Sequence, residues 1–585
     1  MSMSRSRGGI SEGVLVAAIA SGLALAALVW LWGGLAGVTF GRGWPTVSLA
    51  QLAEILVRLP GRLAHPARAW PAPIRSQLPG PAGFYAALAL LIFGLAGAVW
   101  LAAAVGFSRL AGRRSVGARW ARSRDLRPLR RAAWRGAHLR GGLGAGPRSL
   151  ASTGGGRLAL GRHRGRLLVA EHRHALVAFG PPQSGKSAGL AVPALLEWEG
   201  PAVASSIKTD LLDATVRRRR ALGEVFVFDP FELSGAPGHG WSPLHSAHTW
   251  DGALEVAWRL AGAAELDQRG VDGGDFWAIA AEQRLAPLLY IAAATRSGMD
   301  AVVRWVYGQG ARELDQALNR LSEFADDREQ LAAAHAAYDA VRAFEAQADR
   351  TRSSIEATAQ ALLRAYRFAR VQRSARRTEI VPDRLLDQAA TVYLIGDAKA
   401  SKLLRPVFLA LLSEIVDRAY ERATRNGGRL DRPLLLCLDE AGNVAPLPNL
   451  AEIASTAPSH NIQLVSIFHD LAQTRSRYGA QAETVINSHR ARMLLPGVAD
   501  LETLRYFVGL VGEEEALDQT RTTGAGGASR STARRRRPLM AAEALRQLPD
   551  GHALLLYGRL APTRLKLRMW FADRRLRRLA DGSTT

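Results

Sequence analysis

The chain has 585 residues, 48% of them hydrophobic, with 76 Lys and Arg against 52 Asp and Glu, a net charge of +24, and a single cysteine. At ~100–200 residues per domain this is too long for one core, and one cysteine excludes both an internal disulfide framework and a cysteine-based zinc cluster. The positive charge suits nucleic acid or anionic lipid as a partner, although only five of the basic residues are lysines, so part of the basicity reflects an arginine-rich composition rather than a binding surface.

Two uncharged stretches come first. Gly13 to Gly41 carries no charged residue, and residues 14–38 are long enough to cross ~30 Å of hydrocarbon as a helix. Ser76 to Ser108 is likewise uncharged, with its apolar centre at 82–107. Together they predict a two-helix transmembrane anchor over residues 1–108. A cleaved signal peptide is the alternative for the first, yet its apolar region exceeds the usual ~7–15 residues.

A basic juxtamembrane segment and linker is expected over 109–166, with Pro147 to Arg166, glycine-rich and poor in apolar residues, read as a linker or a strand-turn element. Arg109, Arg113, Arg114, Arg119, Arg122, Arg124, Arg127, Arg130, Arg131, Arg135 and Arg140 face the single acid Asp125. That bias places the C-terminal bulk in the cytoplasm of a multi-pass protein, and makes membrane lipid a contact.

The next stretch organises everything after it. Gly180-Pro181-Pro182-Gln183-Ser184-Gly185-Lys186-Ser187 fits G-x-x-x-x-G-K-[ST] at each position. Glycines let backbone N–H groups face phosphate, a lysine reaches the terminal phosphates, and the hydroxyl of Ser187 holds Mg²⁺. ATP and Mg²⁺ are the implied ligands. The bland alternative is a glycine-rich turn, but apolar runs on both sides give the strand-loop-helix setting that the chemistry needs.

Strand and helix then alternate, predicting a parallel sheet with crossover helices. A first nucleotide-binding part covers 167–250. Residues 251–375 change to alanine-rich amphipathic helices, read as an all-helical inserted domain; between 251 and 349 there are 17 acids against nine bases, which favours a basic protein partner over duplex DNA. The sheet resumes over 376–520. There Pro433 to Leu438 is an apolar strand delivering Asp439 and Glu440 to the ligand edge. Asp439 is the candidate metal-positioning carboxylate beside Ser187, and Glu440 the candidate water activator. Gln463 to Phe468 is a further buried strand ending at His469, a candidate nucleotide sensor. Residues 521–537, rich in Thr, Gly, Ala, Ser and Arg, are expected to be a flexible linker. Residues 538–585 are expected to close the sheet with a hairpin, Leu554 to Leu560 and Leu565 to Phe571, and to end in a tail.

These residues resemble the type IV secretion coupling proteins of the VirD4/TraG kind. The matching pieces are the phosphate loop, Lys208-Thr209-Asp210, Val225 to Pro230 with Asp229, Trp241-Ser242-Pro243-Leu244, and Asp275-Phe276-Trp277. Further on come Leu438 to Asn443, Leu471-Ala472-Gln473, Tyr478-Gly479 and Asn487. The resemblance implies an α/β fold, a RecA-like P-loop NTPase domain with an inserted all-α domain behind the membrane anchor. It also implies an ATPase with Lys186, Asp439, Glu440 and His469 in catalysis, located in the bacterial inner membrane as a homo-hexamer. Its partners would be single-stranded DNA with bound relaxase and the components of a type IV secretion channel. A nucleotide-dependent docking platform, or an ATPase moving duplex DNA or secreted protein, are the competing readings. Two departures stand out: His469 occupies a position where relatives usually carry glutamine, and Ala457-Pro458-Ser459-His460 stands where some relatives carry an arginine finger. Arg475, Arg477, Arg490 and Arg492 are the candidate substitutes.

Overall fold

The computed structural model describes residues 12–112, 117–130, 157–172, 174–235, 238–268, 274–524 and 527–582. Of the basic segment, Arg113, Arg114, Arg131, Arg135 and Arg140 lie outside the described residues. The chain divides into two units, 1–115 and 116–585.

In the first unit, helices Glu12–Phe40 and Pro81–Gly112 contain windows, Ser21–Phe40 and Pro81–Leu101, long and apolar enough to cross a membrane. Each helix runs a few residues past the bounds read from the sequence. Trp32 Nε1 donates to the Phe84 carbonyl at 2.7 Å, a buried bond that joins the two helices. Phe93 and Trp100 point outward, 78% and 73% exposed. The connecting segment folds a short amphipathic helix, Leu49–Arg58, entered through a capping box between Ser48 and Gln51.

The described residues of the second unit form thirteen strands: β1 (Ala159–His163), β2 (Arg166–Val169), β3 (Leu176–Phe179), β4 (Ala202–Ser206), β5 (Val225–Phe228), β6 (Thr391–Ile395), β7 (Leu434–Asp439), β8 (Ile462–Phe468), β9 (Ala491–Leu494), β10 (Glu513–Gly524), β11 (Gly527–Pro538), β12 (His552–Tyr557) and β13 (Thr563–Lys566). Eleven form one sheet in the order β2-β1-β13-β12-β9-β3-β8-β7-β4-β6-β5. From β9 to β5 the pairing is parallel. Those strands read as continuous apolar runs because both faces are covered. Val177, Phe179, Leu436, Leu438 and Phe468 enter one core, whereas Leu176, Ala178, Leu435, Cys437 and Ile467 enter the other, the alternation that a pleated strand imposes. Cys437 is buried and unbonded.

Between β5 and β6 the chain builds helices, the longest being Trp250–Gln268, Gly274–Ala294 and Arg328–Glu345. Several arginines here are paired, Arg304 with Asp300 and Glu313, and Arg342 with Asp315 and Glu345.

Three expectations change. Residues 521–537 are not a flexible linker; β10 and β11 pair in register from Glu513↔Pro538 to Gly524↔Gly527. Low complexity hides this because the segment carries no apolar alternation, while its β-branched threonines favour extended backbone. The segment 109–166 is not wholly a linker either. Residues 117–130 and 157–166 pack on the sheet: Leu126 and Leu129 are buried, Ala121 N–H donates to Pro562 O at 2.9 Å, and β1 pairs with β13 and β2. Finally, the second strand of the C-terminal hairpin stops at Lys566, and the residues after it run irregularly over the phosphate loop.

One buried titratable group gives the fold a pH signature. His489 is fully buried, with Nδ1–H donating to Val485 O (2.7 Å) and Nε2 accepting from Ser466 Oγ (3.1 Å). Burial pulls its pKa from 6.5 to about 4. A depressed folded value stabilises the protein fully above the unfolded value, and that contribution is lost as the pH falls toward the folded one. At ~1.4 kcal/mol per pH unit, about 3 kcal/mol should disappear across that window. Urea unfolding followed at pH 7 and 4.5 should show this acid limb flattened in His489→Asn.

Candidate functional site

Strand order builds the site. β8 lies between β3 and β7, so the carboxyl ends of three adjacent parallel strands deliver the phosphate loop, His469 and Asp439-Glu440 to one edge. The loop begins where Gly180 N–H donates to Phe468 O at 3.0 Å. A side chain at Gly180 would stand 2.5 Å from Ser184 Oγ and 3.0 Å from Leu495 Cβ, so only glycine fits. Gln183 and Gly185 take positive φ, 66° and 85°, which curls the backbone. Their amides find no acceptor among the described residues, leaving donors for an anion. Pro181 and Pro182 stiffen the first half of the turn.

Lys186, 7% exposed, makes three contacts. Its Nζ stands 2.9 Å from Glu440 Oε1, 2.9 Å from His469 Nδ1 and 3.4 Å from Gly180 O. His469 Nε2 is 3.1 Å from Glu440 Oε2. One tautomer satisfies the ring: neutral imidazole, accepting from Lys186 at Nδ1 and donating from Nε2 to Glu440. Glu440 also accepts from Asn443 Nδ2 at 2.9 Å. It is held at φ 83°, a backbone cost of ~1–3 kcal/mol typical of residues aimed at a ligand. Ser187 Oγ donates to Asp439 Oδ2 at 2.5 Å.

The two carboxylates diverge in acidity. Burial raises Asp439 to about 6, against the hydrogen bond from Ser187, and the neighbouring Glu440 pushes it the same way as burial. Burial would raise Glu440 too, but the hydrogen bonds from His469 and Lys186 outweigh it and take the group to about 2. Pairs driven apart in this manner mark sites of acid-base work.

Two buried oxygens, Asp439 Oδ1 and Ser184 Oγ, have no hydrogen-bond partner. An orphaned carboxylate oxygen beside a serine hydroxyl suits a hard cation. Mg²⁺ is such an ion, taking one carboxylate and completing its shell with water and substrate phosphate.

Every proposed site residue thus comes to one edge: Gly180 to Ser187, Asp439, Glu440 and His469. Two supporting residues carry no assignable role in the sequence alone. Asn443 orients Glu440, and Gln473 Oε1 accepts from His469 N–H at 2.8 Å, fixing the end of β8; both stand inside the matching motifs. The candidate arginines are dispersed. Arg477 Nε donates to Gly442 O at 3.0 Å, next to the carboxylate turn. Arg475 pairs with Glu502 and Glu483, Arg490 with Glu171, and Arg492 donates to Ile486 O and Asn487 O. Residues 457–460 form a 3-10 turn with Pro458 buried.

The sequence profile of the family described as Type IV secretory system Conjugative DNA transfer matches residues 144–583. Conjugal transfer protein TraG of Escherichia coli is 24% identical over 410 residues, covering 64% of this chain and 61% of that protein. Protein VirD4 of Rhizobium rhizogenes is 22% identical over 440 residues, covering 71% of this chain and 61% of that protein. The chain thus spans about three fifths of the length of these curated relatives. Among solved structures, the bacterial conjugative coupling protein TrwB in its unbound monoclinic form superposes with a TM-score of 0.53 at 16% identity, over 69% of this chain and 87% of that one. TrwB in complex with ADP and Mg²⁺ gives 0.51 at 16% identity, over 68% and 85%. The fold is accordingly that of a RecA-like P-loop NTPase carrying an all-α domain.

Proposed function

This chain belongs to the type IV secretory system conjugative DNA transfer family, and from that premise we propose that it is an inner-membrane ATPase coupling nucleotide hydrolysis to delivery of single-stranded DNA, with its relaxase, into a secretion channel. The observation that carries the reading is the convergence of Lys186, Ser187, Asp439, Glu440 and His469 on one sheet edge. The two apolar helices supply the anchor, with the sheet unit on the cytoplasmic side, and a homo-hexamer is the assembly in which such a site would be completed. A TrwB structure holding ADP and Mg²⁺ supports the choice of ligands.

The residues divide the chemistry. Loop amides cradle the phosphates, and Lys186 neutralises the terminal ones. Ser187 and Asp439 would hold Mg²⁺, which when bound spreads charge away from the transferring phosphoryl group. Glu440 orients a water in line and takes its proton. In the resting site Lys186 is occupied by Glu440; a terminal phosphate must draw the lysine away, and that exchange frees the carboxylate for water. His469, donating to Glu440 on one side and accepting from Lys186 on the other, senses whether the exchange has occurred. The acidic helical domain is the surface for a basic protein partner.

Hydrolysis by the full-length protein in lipid nanodiscs, measured with and without single-stranded DNA, tests the proposal. DNA should stimulate turnover severalfold. Assembled protein that binds ATP and never hydrolyses it would instead favour the docking platform, for which the absence of arginine at 457–460 already speaks.

A further inference from the structure

The segment between the two apolar helices has a chemistry of its own. Residues 41–80 carry five arginines, Arg42, Arg58, Arg62, Arg68 and Arg75, and one acid, Glu54. Arginine on the side of a membrane away from the cytoplasm runs against the usual charge bias, so these groups call for a partner. Glu54 pairs with Arg58; the other four arginines meet no carboxylate among the described residues. The carbonyls of Arg68 and Trp70 take one N–H each from Arg62 (2.7 Å) and Arg75 (2.8 Å), which steadies both guanidinium groups and leaves the rest of each fork open.

The helix Leu49–Arg58 is apolar on two faces. Its inner face buries Leu52 and Ile55, and Ile55 shares a core with Trp32, Trp70 and Phe84. Leu49, Ala53 and Val57 recur at four-residue spacing, which stacks them on a second face. That face is bare: Leu49 is 86% and Val57 82% exposed, with Ala53 exposed between them. Only the edge carrying Gln51, Glu54 and Arg58 is polar, too narrow a strip for a helix that packs on one side and meets water on the other.

Aromatic side chains mark what covers the bare face. Trp44, just beyond the helix end at Phe40, packs edge-on against Trp30 with ring centroids 5.1 Å apart. Tyr85, in the first turns of the second apolar helix, donates its hydroxyl to Leu63 O at 2.8 Å. Both rings are exposed. Exposed Trp and Tyr at the ends of apolar spans belong to the membrane–water boundary, and the bond from Tyr85 holds the chain just after the short helix at that level.

We propose that the helix Leu49–Arg58 lies flat in the headgroup layer of the outer leaflet, with Leu49, Ala53 and Val57 turned into the acyl boundary and Arg42, Arg62, Arg68 and Arg75 on lipid phosphate. Apolar burial and attraction to anionic headgroups add in such a seat, and an arginine fork suits phosphate. A protein partner would need a wider and shaped surface than three side chains offer. Seated this way, the helix sets the depth and tilt of the two-helix anchor. The inference rests on the reading of both apolar helices as membrane spans.

The test uses full-length protein in nanodiscs of phosphatidylethanolamine and phosphatidylglycerol, spin-labelled one position at a time through Leu49→Cys, Ala53→Cys, Glu54→Cys, Val57→Cys and Phe93→Cys. All five positions are exposed, so the labels leave the core intact, and Cys437 is buried and takes none. The ratio of collisions with oxygen, which concentrates in hydrocarbon, to collisions with a water-soluble nickel chelate should be severalfold higher at 49, 53 and 57 than at 54. Free nickel access at 57 would put the stripe in water and overturn the seat; shielding from both reagents would mean a protein contact and overturn it equally. Exchanging phosphatidylglycerol for phosphatidylcholine should lower the ratio at 57, and an unchanged ratio would strike the arginines from the proposal. Phe93→Cys reports on the premise: nickel reaching that label freely would bring down the membrane span itself, a result distinct from failure at 57 alone.

Discussion

Glu440→Gln should bind ATP at least as tightly as wild type and hydrolyse it about 10²–10⁴-fold more slowly, the range over which a positioned general base acts. The substitution keeps size and shape, so the backbone at φ 83° meets no new strain. What changes is the count of acceptors. Oε1 receives Lys186, and Oε2 receives both His469 and Asn443. An amide can satisfy only one of these sides, because its nitrogen must oppose a donor. Keeping the carbonyl toward His469 and Asn443 preserves two bonds, so the amide turns to Lys186 and releases it. A lysine no longer competed for by carboxylate is free for phosphate, and ATP affinity rises while turnover falls.

The same variant separates the two functional readings. If the protein moves DNA, plasmid transfer in cells carrying only Glu440→Gln should drop with ATPase activity. If it is a platform assembled by nucleotide binding, transfer should survive, since binding is intact. Retained transfer alongside lost hydrolysis would end the motor proposal.

Much of this site is legible in the amino-acid order alone. The loop at 180–187 and the apolar run into Asp439-Glu440 are local signals whose spacing states the chemistry, and the apolar strands from β3 to β9 follow from burial on both faces. Strand order is not legible. Periodicity identifies a strand but does not say which neighbour it takes, and only the placement of β8 between β3 and β7 shows why His469 touches Lys186 and Glu440 at once. Asn443 and Gln473 are visible as residues and silent as to role, because hydrogen bonds between side chains and turns that meet only in the folded chain leave no pattern in the sequence. The β10–β11 ribbon and the cover formed by Leu567 to Ala572 escape a sequence reading for opposite reasons. The first lacks an apolar alternation in its sequence, and the second packs without regular structure, its geometry set by two glycines, Gly185 and Gly189, beneath it.

Lys186→Ala should abolish nucleotide binding and also destabilise the protein, and the second effect exposes how the site is held together. Glu440 is 5% exposed, kept ionised by its hydrogen bonds to His469 and Lys186 against the pull of burial. Removing the lysine strands that carboxylate; losing one partner of a buried pair costs about 3–5 kcal/mol, reduced here because His469 and Asn443 remain. The group can escape by taking up a proton, so its pKa rises from about 2 toward the ordinary carboxylate range. A carboxylate with a depressed folded value stabilises above its unfolded pKa and loses that contribution as the pH falls. In Lys186→Ala this acid-dependent contribution shrinks, and the mutant should differ from wild type most at neutral pH and least near pH 3. Adding Glu440→Gln to Lys186→Ala removes the stranded charge and should recover most of the lost stability in urea unfolding at pH 7, with no recovery of ATP binding. A double mutant as unstable as Lys186→Ala alone would show that the lysine supports the loop through Gly180 rather than through the pair.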